Sequence, residues 1–405
     1  MPRISNAAAA YKVAEATGQV KAGSELEKIG AELFGTGDFS GRGLVSGTSD
    51  GSWKLNGYAK SLGFINWEDS QLSENKDKFL SLNTLKKINI KKSYPIKKIH
   101  LINSKDLNKE DIECLLNESD KYIEFNKQNI KKSKVLEGRM IFNLFFEDST
   151  RTRTSFEVAA KRLGADLINV ALKDSSINKG ETLLDTITTI NSMNPDVLIV
   201  RHPEEGVSKK ISKIVNACVI NAGDGSNEHP TQALLDALTI KKKFGKFKNL
   251  KIAICGDVMH SRVARSNIEI LTKLGSKINL IGPNKLIPTD IDNLNVKIFN
   301  NMKEGLSNCD VVMMLRIQKE RIVGKILPNE KEYFRLFGLN YKKLSYANKK
   351  AFVMHPGPMN RGVEIDSKLS DDITRSLIQE QVSMGVAIRM ACLEILINNK
   401  DMYGN

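Results

Sequence analysis

The chain has 405 residues, is 41% hydrophobic and 27% charged, and carries a formal net charge of +14. That is too long for one small domain and too apolar for a disordered chain, so two or three domains with sizeable cores are expected. The charge suits an anionic substrate as well as nucleic acid or a membrane surface. However, the lysines are scattered without an aromatic-and-arginine module, so no nucleic acid is expected, and no apolar run approaches the ~20 residues of a membrane span.

Residues 1–95 read as a poorly ordered N-terminal extension and linker of unknown role. Residues 16–63 are rich in Gly, Ser and Thr, residues 70–98 in Lys and Asn, and only Ala22–Phe34 has helical spacing. Both tryptophans, Trp53 and Trp67, lie here and leave room for a small docking element. The first residues lack the apolar core of a secretory signal. The five cysteines, Cys114, Cys218, Cys255, Cys309 and Cys392, are odd in number and have no metal-ligand spacing. A reducing compartment, the cytoplasm, is therefore expected, with neither disulfides nor a metal site.

From about residue 96 the pattern alternates. Strands are expected at Met140–Phe145, Asp166–Val170, Val197–Arg201 and Cys218–Asn221. Helices are expected at Lys109–Asn126, Arg153–Leu163, Leu183–Met193 and Thr231–Phe244. A second series has strands at Lys251–Cys255, Lys277–Ile281, Val296–Phe299 and Val311–Met314, a helix at Val263–Leu274 and a closing helix at Ser376–Ile397. The fold class expected is α/β, two doubly wound parallel-sheet domains with a cleft between them. The first spans 96–244 and is completed by the C-terminal helix, about 376–400; the second spans 245–375. Ligands in such folds sit beyond the C-terminal ends of the strands.

The residues at those ends carry the chemistry. The strand Ile141–Phe146 runs into Ser149-Thr150-Arg151-Thr152-Arg153 at a helix start. Free backbone N–H groups, hydroxyls and guanidinium forks there make a phosphate site. A lone capping Ser would make an ordinary helix start, but three hydroxyls interleaved with two arginines do not. Arg201-His202-Pro203 follows another strand and reaches the same crevice. His229 and Gln232 flank Pro230 at a helix start, after the Gly223 and Gly225 pair. A neutral His229 is suited to polarise a carbonyl, or simply to cap the helix. Ser175–Thr182 is a polar loop with a phosphate-seeking Lys179. Gly256-Asp257 after a strand is not a dinucleotide turn, since the remaining glycines are missing. Arg262 and Arg316, at two strand ends, suit a dicarboxylate. His355-Pro356-Gly357-Pro358 is a rigid turn with carbonyls free to accept from an amine.

Taken together, Ser-Thr-Arg-Thr-Arg, Arg-His-Pro, His-Pro-Thr-Gln, Arg-x-Gln-Lys-Glu-Arg and His-Pro-Gly-Pro resemble the aspartate/ornithine carbamoyltransferase family over about residues 96–400, on the side of the aspartate enzymes. The resemblance implies that Ser149, Thr150, Arg151 and Thr152 bind the phosphate of carbamoyl phosphate. Thr152, Arg201 and His229 then polarise its carbonyl, and Gln232 with the turn at Pro356, Gly357 and Pro358 holds its amino group. Arg262, Arg316 and Gln318, with Lys179 and Pro356, grip L-aspartate. Ser175 and Lys179 complete a neighbouring subunit's site, so a homotrimer with shared active sites is implied, with no cofactor and no metal. Some relatives carry a second Lys where this chain has Asn178. The product is N-carbamoyl-L-aspartate, an early step of pyrimidine biosynthesis. The competing readings are an ornithine carbamoyltransferase, disfavoured because the turn lacks that enzyme's Cys and Arg316 would repel an ammonium, and a non-catalytic scaffold, disfavoured because the expected polar positions are filled. A regulatory chain, a dihydroorotase-like partner, nucleotide feedback and assembly beyond a trimer stay open.

Overall fold

The computed structural model describes residues 94–170, 182–288, 296–318 and 329–403, with the backbone of residues 45–47 and 53–55. The chain divides into two compact units, Met1–Ser93 and Tyr94–Asn405. In the first, β1 (Val45–Gly47) pairs antiparallel with β2 (Trp53–Leu55). This ladder was not expected from the composition, although the Asp50-Gly51 pair between the strands is a turn signal. The expected helix Ala22–Phe34 lies outside the described residues.

The second unit contains two parallel sheets. The first has the order β4-β3-β5-β6, formed by Asp166–Val170, Met140–Phe145, Val197–His202 and Cys218–Asp224. The second has the order β11-β10-β7-β8-β9, formed by Phe352–Met354, Val311–Met314, Lys251–Cys255, Lys277–Ile281 and Val296–Phe299. In each sheet the chain starts centrally, moves to one edge and then returns to the other side. The order therefore reverses between β3 and β5, and again between β7 and β10. A crevice opens at such a reversal, beyond the C-terminal strand ends.

The inner strands β3, β5, β6, β7 and β10 are buried on both faces, as parallel sheets covered by helices require, whereas the edge strands β4 and β9 stay partly exposed. Along β5, Val197 and Ile199 join one apolar cluster while Leu198 and Val200 join another, because successive side chains point to opposite faces. The first of these clusters is continuous from the first sheet (Ile141, Ile199, Ile220) to the second (Ile252, Ile254, Val311). Helix α1 (Lys109–Phe125), α2 (Thr150–Leu163), α3 (Leu183–Asn191), α4 (Pro230–Phe244), α5 (Arg262–Lys273), α6 (Glu330–Phe337) and α7 (Ile378–Tyr403) cover the sheets. The closing helix α7 packs on α1, α2 and α4 beside the first sheet.

Most expected elements are present, with informative differences. Helix α2 begins at Thr150, not Arg153, because its first turn is wholly polar and hides from apolar periodicity. Strands β5 and β6 run on to His202 and Asp224, into the motif segments themselves. Strand β11 is three residues long, too short for a readable alternation. Among the described residues no helix is long and apolar enough to cross a membrane, and no group of three or more His, Cys, Asp or Glu is arranged to hold a metal ion.

Candidate active site

The start of α2 is built differently from its neighbours. Helices α1 and α3 open with reciprocal capping boxes, Asn108 with Asp111 and Thr182 with Asp185. Ser149, at the N-cap of α2, makes no capping hydrogen bond, and the first turn contains no acidic residue. The first-turn N–H groups are therefore left for another acceptor, and the helix dipole favours an anion there. Thr152 is buried behind this turn, whereas Arg151 projects outward.

Arg151 meets the turn after β11. A Cβ added to Gly357 would fall 2.6 Å from Arg151 Cζ, so the guanidinium rests on a position that only glycine leaves open. Gly357 also has φ +64°, a left-handed conformation that glycine adopts without strain. Its N–H donates to His355 Nδ1 at 2.7 Å, and the Gly357–Pro358 peptide is cis. The His355 ring is fully buried beside Glu364, and burial holds it neutral, below its ordinary pKa.

Two further arginines converge from opposite sheets. Glu147 follows β3; its Oε1 lies 2.6 Å from Arg201 Nε at the end of β5 and also accepts from Arg262 Nη2 at the start of α5. Arg201 Nη1 donates to the Ala222 carbonyl at 3.1 Å. Gly223, at φ +123°, lies against both guanidiniums: a Cβ there would be 3.1 Å from Arg262 Cζ and 3.2 Å from Arg201 Nη1. Arg262 Nη1 is buried with no hydrogen-bond partner among the described residues, a donor still available to a ligand.

His229 precedes α4. Its backbone N–H donates to Ser266 Oγ at 2.9 Å, and Ser266 in turn donates to Glu228. The ring is fully buried, and Nδ1 has no partner among the described residues. Burial first, then the charges of Arg201, Arg262 and Arg389, holds its pKa well below the usual histidine value. It is therefore a neutral imidazole, able to donate from one nitrogen only. One turn on, Gln232 donates through Nε2 to Asp236 Oδ1 at 3.1 Å. Gln318, after β10, donates through Nε2 to the His260 carbonyl at 2.8 Å, while Asp257 receives the His260 ring at 2.8 Å and the Gln318 N–H at 3.3 Å.

These segments enclose one cavity of about 560 Å³. Ser149, Thr150, Arg151, Thr152, Arg201, His229, Gln232, Arg262, Arg316, Gln318, Pro356, Gly357 and Pro358 all line it. Arg153 is exposed and does not, because the helical turn carries it off the face that Arg151 shares with the cavity. Ser175 and Lys179 lie in residues 171–181, outside the described residues.

Sequence reasoning missed Glu147, Ser155, Asp236, Gln381 and Arg389. Of these, Ser155, Gln381 and Arg389 line the cavity directly. Arg389 is fully buried on α7, where burial lowers its pKa to about 10. It donates to Ser155 Oγ at 2.8 Å and to the Gly385 carbonyl at 3.2 Å, and its guanidinium sits 4.9 Å from the Phe156 ring centre. The available signal was a charged residue inside a locally apolar stretch, Val386–Leu393 for Arg389 and Ala233–Leu238 for Asp236 on α4.

Residues 99–242 match the carbamoyl-P binding domain, and residues 248–396 the Asp/Orn binding domain, of aspartate/ornithine carbamoyltransferases. This chain belongs to the aspartate/ornithine carbamoyltransferase family. Among its relatives, the aspartate carbamoyltransferase catalytic subunit of Rhodospirillum rubrum is 56% identical over 300 residues, 74% of this chain and 94% of the relative. That of Roseobacter denitrificans is 55% identical over 300 residues, 74% of this chain and 96% of the relative. Aspartate transcarbamoylase of Trypanosoma cruzi, solved in complex with N-(phosphonacetyl)-L-aspartic acid, matches this family member with 32% identity and a TM-score of 0.67, over 73% of this chain and 94% of the solved chain. The same enzyme solved with carbamoyl phosphate and aspartate gives 31% identity and a TM-score of 0.65, over 73% and 95% of the two chains.

Proposed function

We infer that the chain transfers the carbamoyl group of carbamoyl phosphate to the amine of L-aspartate, giving N-carbamoyl-L-aspartate and phosphate, an early step of pyrimidine biosynthesis. The observation that carries this is similarity above 50% identity over 300 residues, 74% of this chain and 92–96% of each relative, to aspartate carbamoyltransferase catalytic subunits. The cavity supports it independently. Its lining offers an uncapped helix start and Arg151 to a phosphate, and Arg262 and Arg316 to a dicarboxylate.

In this reading the first turn of α2 holds the phosphate, and Thr152, Arg201 and His229 face the carbonyl oxygen. The uncharged aspartate amine attacks the carbonyl carbon, and the oxygen gains negative charge. Preset donors stabilise that charge, each worth ~3 kcal/mol. The carbon–oxygen bond to phosphate then breaks, and a phosphate oxygen takes the amine proton. Holding two anions together in attack geometry supplies much of the rate, with effective molarities of ~10⁵–10⁸ M. Gln232 and the turn at Pro356–Pro358 hold the carbamoyl nitrogen, while Arg262, Arg316 and Gln318 hold aspartate.

The same reading makes the active unit a homotrimer in which Ser175 and Lys179 serve a neighbour's site. Exposed apolar residues that flank positions 171–181 in sequence, Ile168 on β4 and Leu184 on α3, support a subunit contact on this face. Five free cysteines, four of them buried, support a cytoplasmic setting.

Steady-state assay with each amino acid tests the activity: turnover of aspartate is expected, and turnover of ornithine alone would overturn the reading. Mixing inactive Arg151→Ala chains with inactive Lys179→Ala chains tests the shared site. Activity should return on mixing, and its failure to return would place both residues in one subunit's site.

A further inference from the structure

We propose that Asp236 is a positioning residue that fixes which end of the Gln232 amide serves the cavity, and thereby makes the site select an amino group over a methyl group on its acyl phosphate. The proposal rests on the carbamoyl-transfer reading above and deepens it.

Asp236 is completely buried on α4, one turn beyond Gln232. Among the described residues its three hydrogen bonds all come from side-chain amides. Oδ1 accepts from Gln232 Nε2 at 3.1 Å and from Gln381 Nε2 at 2.7 Å, and Oδ2 accepts from Asn267 Nδ2 at 2.8 Å. An ionised carboxylate accepts and cannot donate. Each amide must therefore turn its nitrogen toward Asp236, and the orientation of all three follows from that one charge.

The consequence is readable at Gln381 and at Gln232. With its nitrogen committed, Gln381 uses its oxygen to accept from the His355 N–H at 2.9 Å, which anchors the start of the turn carrying Pro356–Pro358. Gln232 lines the cavity, and no hydrogen bond among the described residues uses its oxygen. An acceptor is therefore left for the ligand. A carbamoyl group has N–H to give it; an acetyl group of nearly the same shape has only C–H. Binding the acetyl group would leave a desolvated acceptor unpaired. Burial raises the Asp236 carboxyl to about 6, opposed by its amide donors and by Arg389, so the group remains an acceptor at neutral pH.

Asp236→Leu tests this on the full chain. Leu is close in size and offers no acceptor, which releases the Gln232 amide to turn its own nitrogen to the cavity, whereas Asn could keep its oxygen toward Gln232 and Gln381 and turn its N–H to Asn267. The readout is the ratio of the dissociation constants of acetyl phosphate and carbamoyl phosphate, measured by competition for wild type, Asp236→Leu, Gln232→Met and the double variant. The ratio should fall at least tenfold in each single variant. The double variant should fall no further than Gln232→Met alone, because Asp236 acts through Gln232.

An unchanged ratio in Asp236→Leu, or losses that multiply in the double variant, would overturn the proposal. If Asp236→Leu does not fold, Asp236→Ala, which also offers no acceptor, takes its place, and Gln232→Met checks that the Gln232 oxygen reads the amino group. Weakened carbamoyl phosphate with unaltered acetyl phosphate supports the proposal, and an unchanged ratio overturns it. The two readings fail separately: a wild type that forms no carbamoyl-aspartate defeats the function, whereas an active wild type with indifferent variants defeats only the role of Asp236.

Discussion

Glu147 Oε1 lies 2.6 Å from Arg201 Nε and takes a hydrogen bond from Arg262 as well. One carboxylate after the first sheet's central strand thus holds an arginine of its own sheet and an arginine of the other. Both guanidiniums line the cavity, and this carboxylate links the elements that carry them.

Glu147→Gln should therefore weaken both the site and the fold. The variant keeps the shape and loses the charge that balances two guanidiniums. We expect KM for aspartate to rise and kcat/KM to fall by ~10–100-fold, since small misplacements in an attack geometry have effects of that order. Stability should drop by ~1–3 kcal/mol, less than for a fully buried pair because these groups are partly exposed. Steady-state kinetics and denaturant titration measure the two effects.

Gly357→Ala places a methyl group where the Arg151 guanidinium rests, 2.6 Å from Cζ, at a backbone φ of +64°. The arginine must move, and the alanine backbone is strained by ~1 kcal/mol. Affinity for carbamoyl phosphate is expected to fall at least tenfold with a small loss of thermal stability. Unaltered binding would show that Arg151 has room elsewhere.

Inorganic phosphate should stabilise the wild-type chain, because a ligand that binds only the folded state adds ~2.7 kcal/mol at one hundred times its dissociation constant. The rise in Tm should vanish in Arg151→Ala and be unaffected in Arg153→Ala, since Arg153 does not line the cavity. A phosphate titration followed by thermal denaturation separates the two arginines.

The pH dependence of stability has a definite sign. His229 and His355 have folded pKa values below the ordinary 6.5 because both rings are buried. Above pH 6.5 they are neutral folded and unfolded and contribute no slope. Below it the unfolded chain binds protons that the folded chain refuses, so stability falls as pH falls. His229→Gln should flatten this acid-side loss. His229→Ala should also lower kcat by ~10²–10³-fold if it polarises the carbonyl, measured at pH 7.5, where the ring is neutral.

By itself the sequence determined the alternation of strand and helix, the order of the motif segments and the family they belong to. These are local properties: a strand's apolar run, a polar helix start and a Pro-Gly turn each occupy a few neighbouring residues. Thus Ser149–Thr152, Arg201, His229, Arg262, Arg316 and the His355 turn could all be named from their place after a strand, and the structure brings them to one cavity. What only the tertiary structure decided is how these groups are held. Gln381 reaches Asp236 across 145 positions of chain, Arg389 reaches Ser155 across 234, and Glu147 reaches Arg262 across 115. Apolar periodicity carries no information about such pairings, because a buried charge in a helix looks the same whether it is matched or misplaced. The match is made by packing α4, α5 and α7 together, and there the carboxylate of Asp236 acquires the three amides that give it a role.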